Sequence, residues 1–547
     1  DPEMSRGLGD VYKRQIYEGL YNSAVDKGLQ SPEAYANANI DTYAGIPELG
    51  YTDWRKELIR TAHNQNYEVT ASGGNERTTF YASLGFNRQE GLVENSNLDR
   101  YSARLNMTHK IGSRVEVGGN MMFTQISQEM NEERGSNINP FLCVAVSATP
   151  SMPVRDASGN YVGSYAGTNV NPLRDIRTDY NRSRMTRMFS TGYASVDIIK
   201  GLKLKETLSY DYTVQKDSRY LNPLSGAGPK SGSDAQTSKG FTEYGKLLSS
   251  TSLNYTHTFA AKHHLDILAA YELESYQSDK AMGEKAKLPS DVLLEPDNAA
   301  VLKSFVSSTQ AYRMISYLSR LNYDYDNRYY IAGSYRRDGS SRLAPESRWG
   351  DFWSVSGMWH LSSEPFMEAV KPVLNDVKIR ASYGVLGEEL GTALSHIVGY
   401  NYNDGGAVID GGLVTGSTVT GLATDNITWG KSKILNIGID LGFLDNRLNA
   451  SFDYFNRDQT GLLASRYDVQ IPEEVGFSLP QENLNSNYAR GFDASVNWRD
   501  RIGDVNYTVG GNVTYSRWYV GDRYKPRFSS EWQKFRYQAG NITGRYT

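Results

Sequence analysis

The residues that could do chemistry are few and poorly grouped. Seven histidines are scattered along 547 residues, and the only adjacent pair, His263-His264, lies beside an expected turn, where exposed polar side chains are ordinary. No HExxH, GxSxG, P-loop or EF-hand pattern occurs. The single cysteine, Cys143, has no partner for a disulfide and no CxxC spacing, so it reads as an idle or packed thiol. Asp404-Gly405-Gly406 has one acidic residue of a calcium loop and lacks the others, which makes a glycine-rich turn the better account. The densest chemistry is a group of guanidinium forks, Arg336, Arg337, Arg342 and Arg348, around Asp338-Gly339-Ser340. Asp-Gly-Ser is a turn-forming run, and forks gathered at one rim could bind sugar hydroxyls or anions. The reading favoured here is that they pair with loop carboxylates and fix loop geometry. No catalytic residue, cofactor site or metal site is expected, and the chain does not read as an enzyme.

The elements around these residues are strands. Apolar residues recur with period two, which places them on one face of an extended chain. Phe80, Ala82, Leu84 and Phe86 alternate with Thr79, Tyr81 and Ser83, and Tyr101, Ala103, Leu105 and Met107 alternate with Ser102, Arg104 and Asn106. The pattern continues through Leu204, Leu208 and Tyr210, Leu321 and Tyr323, Ile437 and Ile439, Phe492 and Val496, to Val509 and Val513. Roughly sixteen such segments occur, many near the ~10 residues that cross a bilayer as a tilted strand. Tight turns at Lys200-Gly201, Asp326-Asn327, Asp445-Asn446 and Ile502-Gly503 separate long polar excursions at 128–183, 217–240, 277–308, 384–430 and 460–489. Short turns on one side and long loops on the other is the asymmetry of outer-membrane barrels. A charged side chain facing lipid at mid-membrane costs about 2–4 kcal/mol, so Arg104, Lys203, Arg320 and Asp440 are expected to face a wet interior and pair across strands.

Bulk properties agree. Mean hydropathy is −0.55, and no stretch approaches the ~18 apolar residues of a spanning helix. Thirty-nine Tyr against 17 Phe suits a membrane interface, where the ring enters lipid and the hydroxyl stays wet. A Tyr-rich soluble β-sandwich shares that composition. The formal net charge of −4 argues against a nucleic-acid binder. Residues 1–15 (DPEMSRGLGDVYKRQ) fit nothing after them and read as a non-native leader. Residues 16–66 read as a helical and loop segment outside the wall, with helices at 16–28 and 31–44, the second opening at Ser31-Pro32-Glu33. The barrel is expected over 67–516, with a loop and truncated end at 517–547. The fold class is all-β: an incomplete transmembrane antiparallel barrel with long extracellular loops and short periplasmic turns.

Three stretches carry a resemblance. The first runs from Thr52-Asp53-Trp54 through Ser72-Gly73-Gly74 to Arg100-Tyr101-Ser102. The second runs from Arg336-Arg337-Asp338-Gly339-Ser340-Ser341-Arg342 through Arg348-Trp349-Gly350 and Glu364-Pro365-Phe366 to Ser382-Tyr383-Gly384. The third joins Ile427-Thr428-Trp429, Asn446-Arg447-Leu448 and Gly491-Phe492-Asp493, where Gly-Phe-Glu is usual. Together they resemble the SusC/RagA family of TonB-linked outer-membrane proteins. That resemblance marks Asp53, Trp54, Gly73, Gly74, Arg337, Asp338, Gly339, Ser340, Arg342, Trp349, Gly350, Tyr383, Gly384 and Trp429 as family signature, expected to be structural.

It also implies a larger barrel closed around a plug that this sequence lacks, in the outer membrane of a Gram-negative, Bacteroidota-like bacterium. The implied activity is TonB-dependent import of large nutrients, oligosaccharides first, or peptides in the manner of RagA. The implied partners are a SusD-like surface lipoprotein, the TonB-ExbB-ExbD complex, membrane lipid and the oligosaccharide or peptide ligand, with no nucleic acid. A passive porin or adhesin barrel would share the alternation but lack these motifs. A soluble carbohydrate-binding β-protein would bury the alternating face.

Overall fold

A computed structural model describes residues 52–541 apart from stretches of which the longer are 132–138, 145–152, 163–170, 224–233, 391–395, 475–478 and 525–529. The leader at 1–15, the expected helices at 16–28 and 31–44, Cys143 and the end at 542–547 lie outside the described residues.

One antiparallel sheet of sixteen strands dominates, ordered β1 to β12 and then β15 to β18, each hydrogen-bonded to its neighbour in sequence. The strands are β1 (Asn64–Gly74), β2 (Thr78–Glu90), β3 (Asn97–Ile111), β4 (Val115–Glu129), β5 (Tyr180–Ile199), β6 (Leu202–Leu221), β7 (Gln236–Phe259) and β8 (His263–Ala286). They continue as β9 (Val301–Tyr325), β10 (Tyr329–Ser340), β11 (Trp349–His360), β12 (Leu374–Glu388), β15 (Gly430–Phe443), β16 (Leu448–Ser465), β17 (Gln481–Ile502) and β18 (Val505–Val520). A separate hairpin, β13 (Tyr400–Ile409) and β14 (Gly412–Val419), rises from the connection after β12.

The predicted tight turns are in place. Asp326 and Asn327 both have φ of 53°, and Leu444, Asp445 and Asn446 also take positive φ. Such backbones match the right-handed twist of a two-strand ribbon, and Asn and Asp tolerate them. The long connections are shorter than predicted, because strands run well into them. β8 continues to Ala286 and β9 already starts at Val301. Asp404-Gly405-Gly406 is not a turn: it lies within β13, where the register slips between Tyr402 and Gly406. Asp338-Gly339-Ser340 likewise ends β10 rather than turning, with Asp338 and Gly339 paired to Gly350 and Trp349.

The two faces differ chemically. On one, Val69, Leu84, Ala103, Phe123, Met188 and Tyr212 stand side by side across β1 to β6. Tyr212 pairs with Gly245, and a second row on the same face, nearer the short turns, runs from Leu202 through Tyr255, Ile267, Leu321, Gly333, Val355, Tyr383 and Leu435. This apolar face is bare: Val69 is 73% exposed and Leu84 66%. A soluble sheet would bury it. The other face is polar, and the few buried clusters lie toward the long-loop end. Among the described residues no helix is long and apolar enough to cross a membrane, which leaves strands as the elements able to do so.

Candidate functional site

The polar face carries a row of hydrogen-bonding side chains interrupted only at Ala332. Thr256, Asp266, Asn322, Ala332, Ser356, Ser382 and Asn436 are register partners across seven strands. They border a hollow of about 640 Å³ that also meets Tyr330, Met358 and Arg380. Its charges are paired across strands. The Arg380 fork donates to both carboxylate oxygens of Asp440 and of Asp453, at 2.6–3.1 Å. Asp266 accepts from Thr256 at 3.0 Å and lies 3.5 Å from Arg320. Lys203 faces Asp197 across 3.9 Å. Opposite charges paired across strands leave this wall polar yet nearly neutral, suited to hydrophilic solutes without trapping them by charge.

At the long-loop end the same face bears a collar. Leu343, Phe352, Ile427 and Trp429 form a buried cluster, with the Phe352 and Trp429 rings edge to face at 5.4 Å. Trp429 Nε1 donates to the Arg348 carbonyl at 3.0 Å. Buried Ser340 donates to Glu389, which also accepts from Arg342 at 3.2 Å. The connections at 341–348 and 389–429 are thereby stitched to the wall. Five signature positions meet here, Asp338, Ser340, Arg342, Gly350 and Trp429, while Gly384 lies on the same face of β12 against Ser354. Arg336 pairs with Asp338 at 2.6 Å and with Glu272 at 3.1 Å.

The remaining signature residues are elsewhere. Arg337, Gly339, Trp349 and Tyr383 lie on the apolar face, where the Arg337 guanidinium stacks 5.3 Å from the Trp349 ring and 3.8 Å from Asp351. The four forks therefore do not share one site, and Arg348 Nε is buried without a hydrogen-bond partner among the described residues. Asp53 caps a short helix, Trp54–Leu58, by accepting from Lys56 N at 3.1 Å. Trp54 packs with Val93, Val162, Leu173 and Ile176 on a second helix, Pro172–Thr178. Gly73 and Gly74 end β1, and a Cβ on Gly74 would strike the Thr78 carbonyl. Glu389, the hinge of the collar, was missed by the sequence reading, since nothing local marks one carboxylate as the partner of Ser340.

The apolar face has aromatic borders. Near the short turns, Phe259, His263, Tyr325, Tyr329 and Trp359 form an unbroken row with centroid spacings of 4.8–6.4 Å. Glu364, in the 361–373 connection, accepts from Tyr329 Oη at 2.6 Å and Trp359 Nε1 at 3.1 Å, and these hydrogen bonds hold its carboxyl below the usual range. Toward the long loops stand Tyr271, Tyr317 and Trp349. Trp349 and Trp359 are ten steps apart on β11. That is about 33 Å along a strand and about 25 Å once tilted ~40°, the height of an outer-membrane apolar band.

Residues 147–546 match the family model described as TonB dependent receptor-like, beta-barrel. The chain belongs to that family. TonB-dependent receptor barrels are outer-membrane proteins of Gram-negative bacteria, and their family transports rather than catalyses. The apolar face is therefore the lipid side, the polar face the lumen, and the long loops extracellular.

Among relatives, TonB-dependent receptor P3 of Formosa agariphila is 26% identical over 490 residues, covering 88% of this chain and 48% of that protein. TonB-dependent receptor SusC of Bacteroides thetaiotaomicron is 24% identical over 497 residues, covering 85% and 48%. This TonB-dependent receptor barrel thus spans about half the length of the curated relatives it matches. Among solved structures, the RagAB peptide importer in its open-open state superposes with a TM-score of 0.77 at 22% identity, over 93% of this chain and 58% of that one. The unliganded ferric citrate transporter FecA gives 0.51 at 9%, over 84% and 57%. Both are likenesses of fold.

Proposed function

We propose that the protein bearing this barrel imports a large hydrophilic nutrient across the outer membrane, most simply an oligosaccharide, with energy delivered through TonB. The observation that carries the substrate class is the row of hydroxyl, amide and carboxylate groups, six across seven strands with Ala332 between them, bordering the lumenal hollow with Tyr330. Sugar hydroxyls are both donors and acceptors, and sugar faces stack on aromatic rings, so a nearly neutral row of this kind lets a sugar chain exchange partners as it passes. A SusD-like surface lipoprotein is the proposed cap of the extracellular mouth. Coupling to TonB-ExbB-ExbD is assigned to the half of the relatives' length that this chain does not span. Peptide import is the second reading, favoured by the fold likeness to the RagAB peptide importer. The test is deletion of the full-length gene. Growth on one class of large glycan should stop while growth on monosaccharides continues. Loss confined to a peptide source selects the second reading, and unchanged uptake of every large substrate overturns both.

A further inference from the structure

On the lipid side of β5 and β6, two cations face each other with nothing between them. Arg184 and Lys216 are direct register partners, both exposed. Neither makes a hydrogen bond or ion pair among the described residues. Like charges directly opposite on one face oppose strand pairing, and the charges around them are already taken. Arg88 lies 3.6 Å from Glu90 and 3.9 Å from Asp99, Arg182 is 2.8 Å from Glu129, and Lys239 is 2.5 Å from Glu295. The Glu243 carboxylate accepts from Tyr212 Oη at 2.8 Å. Arg184 and Lys216 are thus the cations left without a carboxylate of their own, in a register row that runs through Arg88, Asp99 and Ser127 and on to Phe241. A hollow of about 1170 Å³ opens over them, bordered also by Arg88, Arg182 and Lys239 and by the carboxylates of Asp99, Glu129 and Glu243.

Position decides the ligand. Along β5 the same face reads Met188, Thr186, Arg184, and along β6 Tyr212, Val214, Lys216. The pair thus stands four residues, about 13 Å along the strand, from the apolar row, on the extracellular side. A molecule whose acyl chains lay on Met188 and Tyr212 would carry its headgroup to this height. A phosphate matches a guanidinium fork beside an ammonium, because it offers several charged acceptor oxygens at once. We infer that this patch binds the phosphate of a phosphorylated outer-leaflet glycolipid, with Arg184 and Lys216 as its ligands.

The inference uses the membrane orientation of the barrel and not the imported substrate, so it stands or falls apart from the import reading. The test uses full-length protein in detergent and native mass spectrometry with purified outer-leaflet glycolipid, either bisphosphorylated or stripped by phosphatase. The parent should bind the phosphorylated form at least about tenfold more tightly. That preference should vanish in Arg184→Gln/Lys216→Gln and persist in Arg184→Lys/Lys216→Arg. Equal binding of the two lipids by the parent overturns the assignment, and this arm needs no variant to fold. A preference retained by the double Gln protein also overturns it. Inorganic phosphate binding as tightly as the phosphorylated lipid would make the patch a free-anion site and remove the glycolipid.

Discussion

A methyl group added at Gly350 would clash with Cζ of Phe352 and stand 2.9 Å from Cδ1 of Trp429. Both rings belong to the buried collar, so neither has free space to yield. Gly350→Ala should cost about 1–3 kcal/mol through overpacking, and Trp429→Ala about 3–5 kcal/mol through the cavity and the lost hydrogen bond to the Arg348 carbonyl. Gly357→Ala is the control: its Cβ would approach nothing closer than the Tyr330 carbonyl at 3.7 Å, and it should be neutral within about 0.5 kcal/mol. Unfolding midpoints of the detergent-solubilised protein measure all three, and equal stability of Gly350→Ala and Gly357→Ala would refute the collar as a packed unit. Sequence alone marked Gly350 and Trp429 but misread Asp338-Gly339-Ser340 as a turn. Local turn preference lost there to pairing on both sides, with β11 through Gly339 and with β9 through Ser340. Glu389 was illegible for a different reason: its role depends on Ser340 and Arg342, 47–49 residues away, and no period or spacing encodes that distance.

Strand centres were legible and strand ends were not. Within the apolar band one face must be greasy, so period two is imposed on Leu202–Leu221 or Trp349–His360. Past the band the outer face meets water and headgroups, and the alternation fades. Residues 277–286 and 301–311 are strand without the pattern, which is why they read as loop. The loops dock by contacts that are just as local. Arg177 on the helix Pro172–Thr178 forms a two-pronged pair with Glu94, at 2.8 and 3.0 Å. Hydrogen bonding from Arg177 lowers the Glu94 pKa below its ordinary 4.5. A depressed carboxylate adds stability that is fully present above the unfolded value and lost as pH falls through the folded one. Amide protection factors over 171–178, corrected for the intrinsic pH dependence of exchange, should thus be flat above pH 5 and fall below about pH 4.5. Glu94→Gln should exchange faster at neutral pH and lose that acid step. Because the pair is partly exposed, the effect is small, on the order of 0.5 kcal/mol. An acid step unchanged in Glu94→Gln would assign it to another group.

For the whole molecule, what matters is which face is wet. The register places Val355 among Leu321, Tyr383 and Gly333 on the lipid side, and Ser356 beside Ala332 and Ser382 on the lumenal row. An arginine at 355 would sit between the aromatic borders, where no lumenal carboxylate can reach it. Its cost should be about 2–4 kcal/mol in a bilayer. One residue on, Ser356→Arg would project into a water-filled passage on the face that already carries Arg320 and Arg380, and should cost less than about 1 kcal/mol. Unfolding of the full-length protein in vesicles measures the difference. A soluble β-protein with the same alternation would bury Val355 and would also reject an arginine there, so position 355 alone does not discriminate. The medium does: lipid or detergent should be required for the parent to remain monodisperse, since Val69 and Leu84 would otherwise stand in water. A parent that stays monomeric without detergent, or a Ser356→Arg protein less stable than Val355→Arg, would reverse the assignment of inside and outside on which the import and lipid-binding readings both depend.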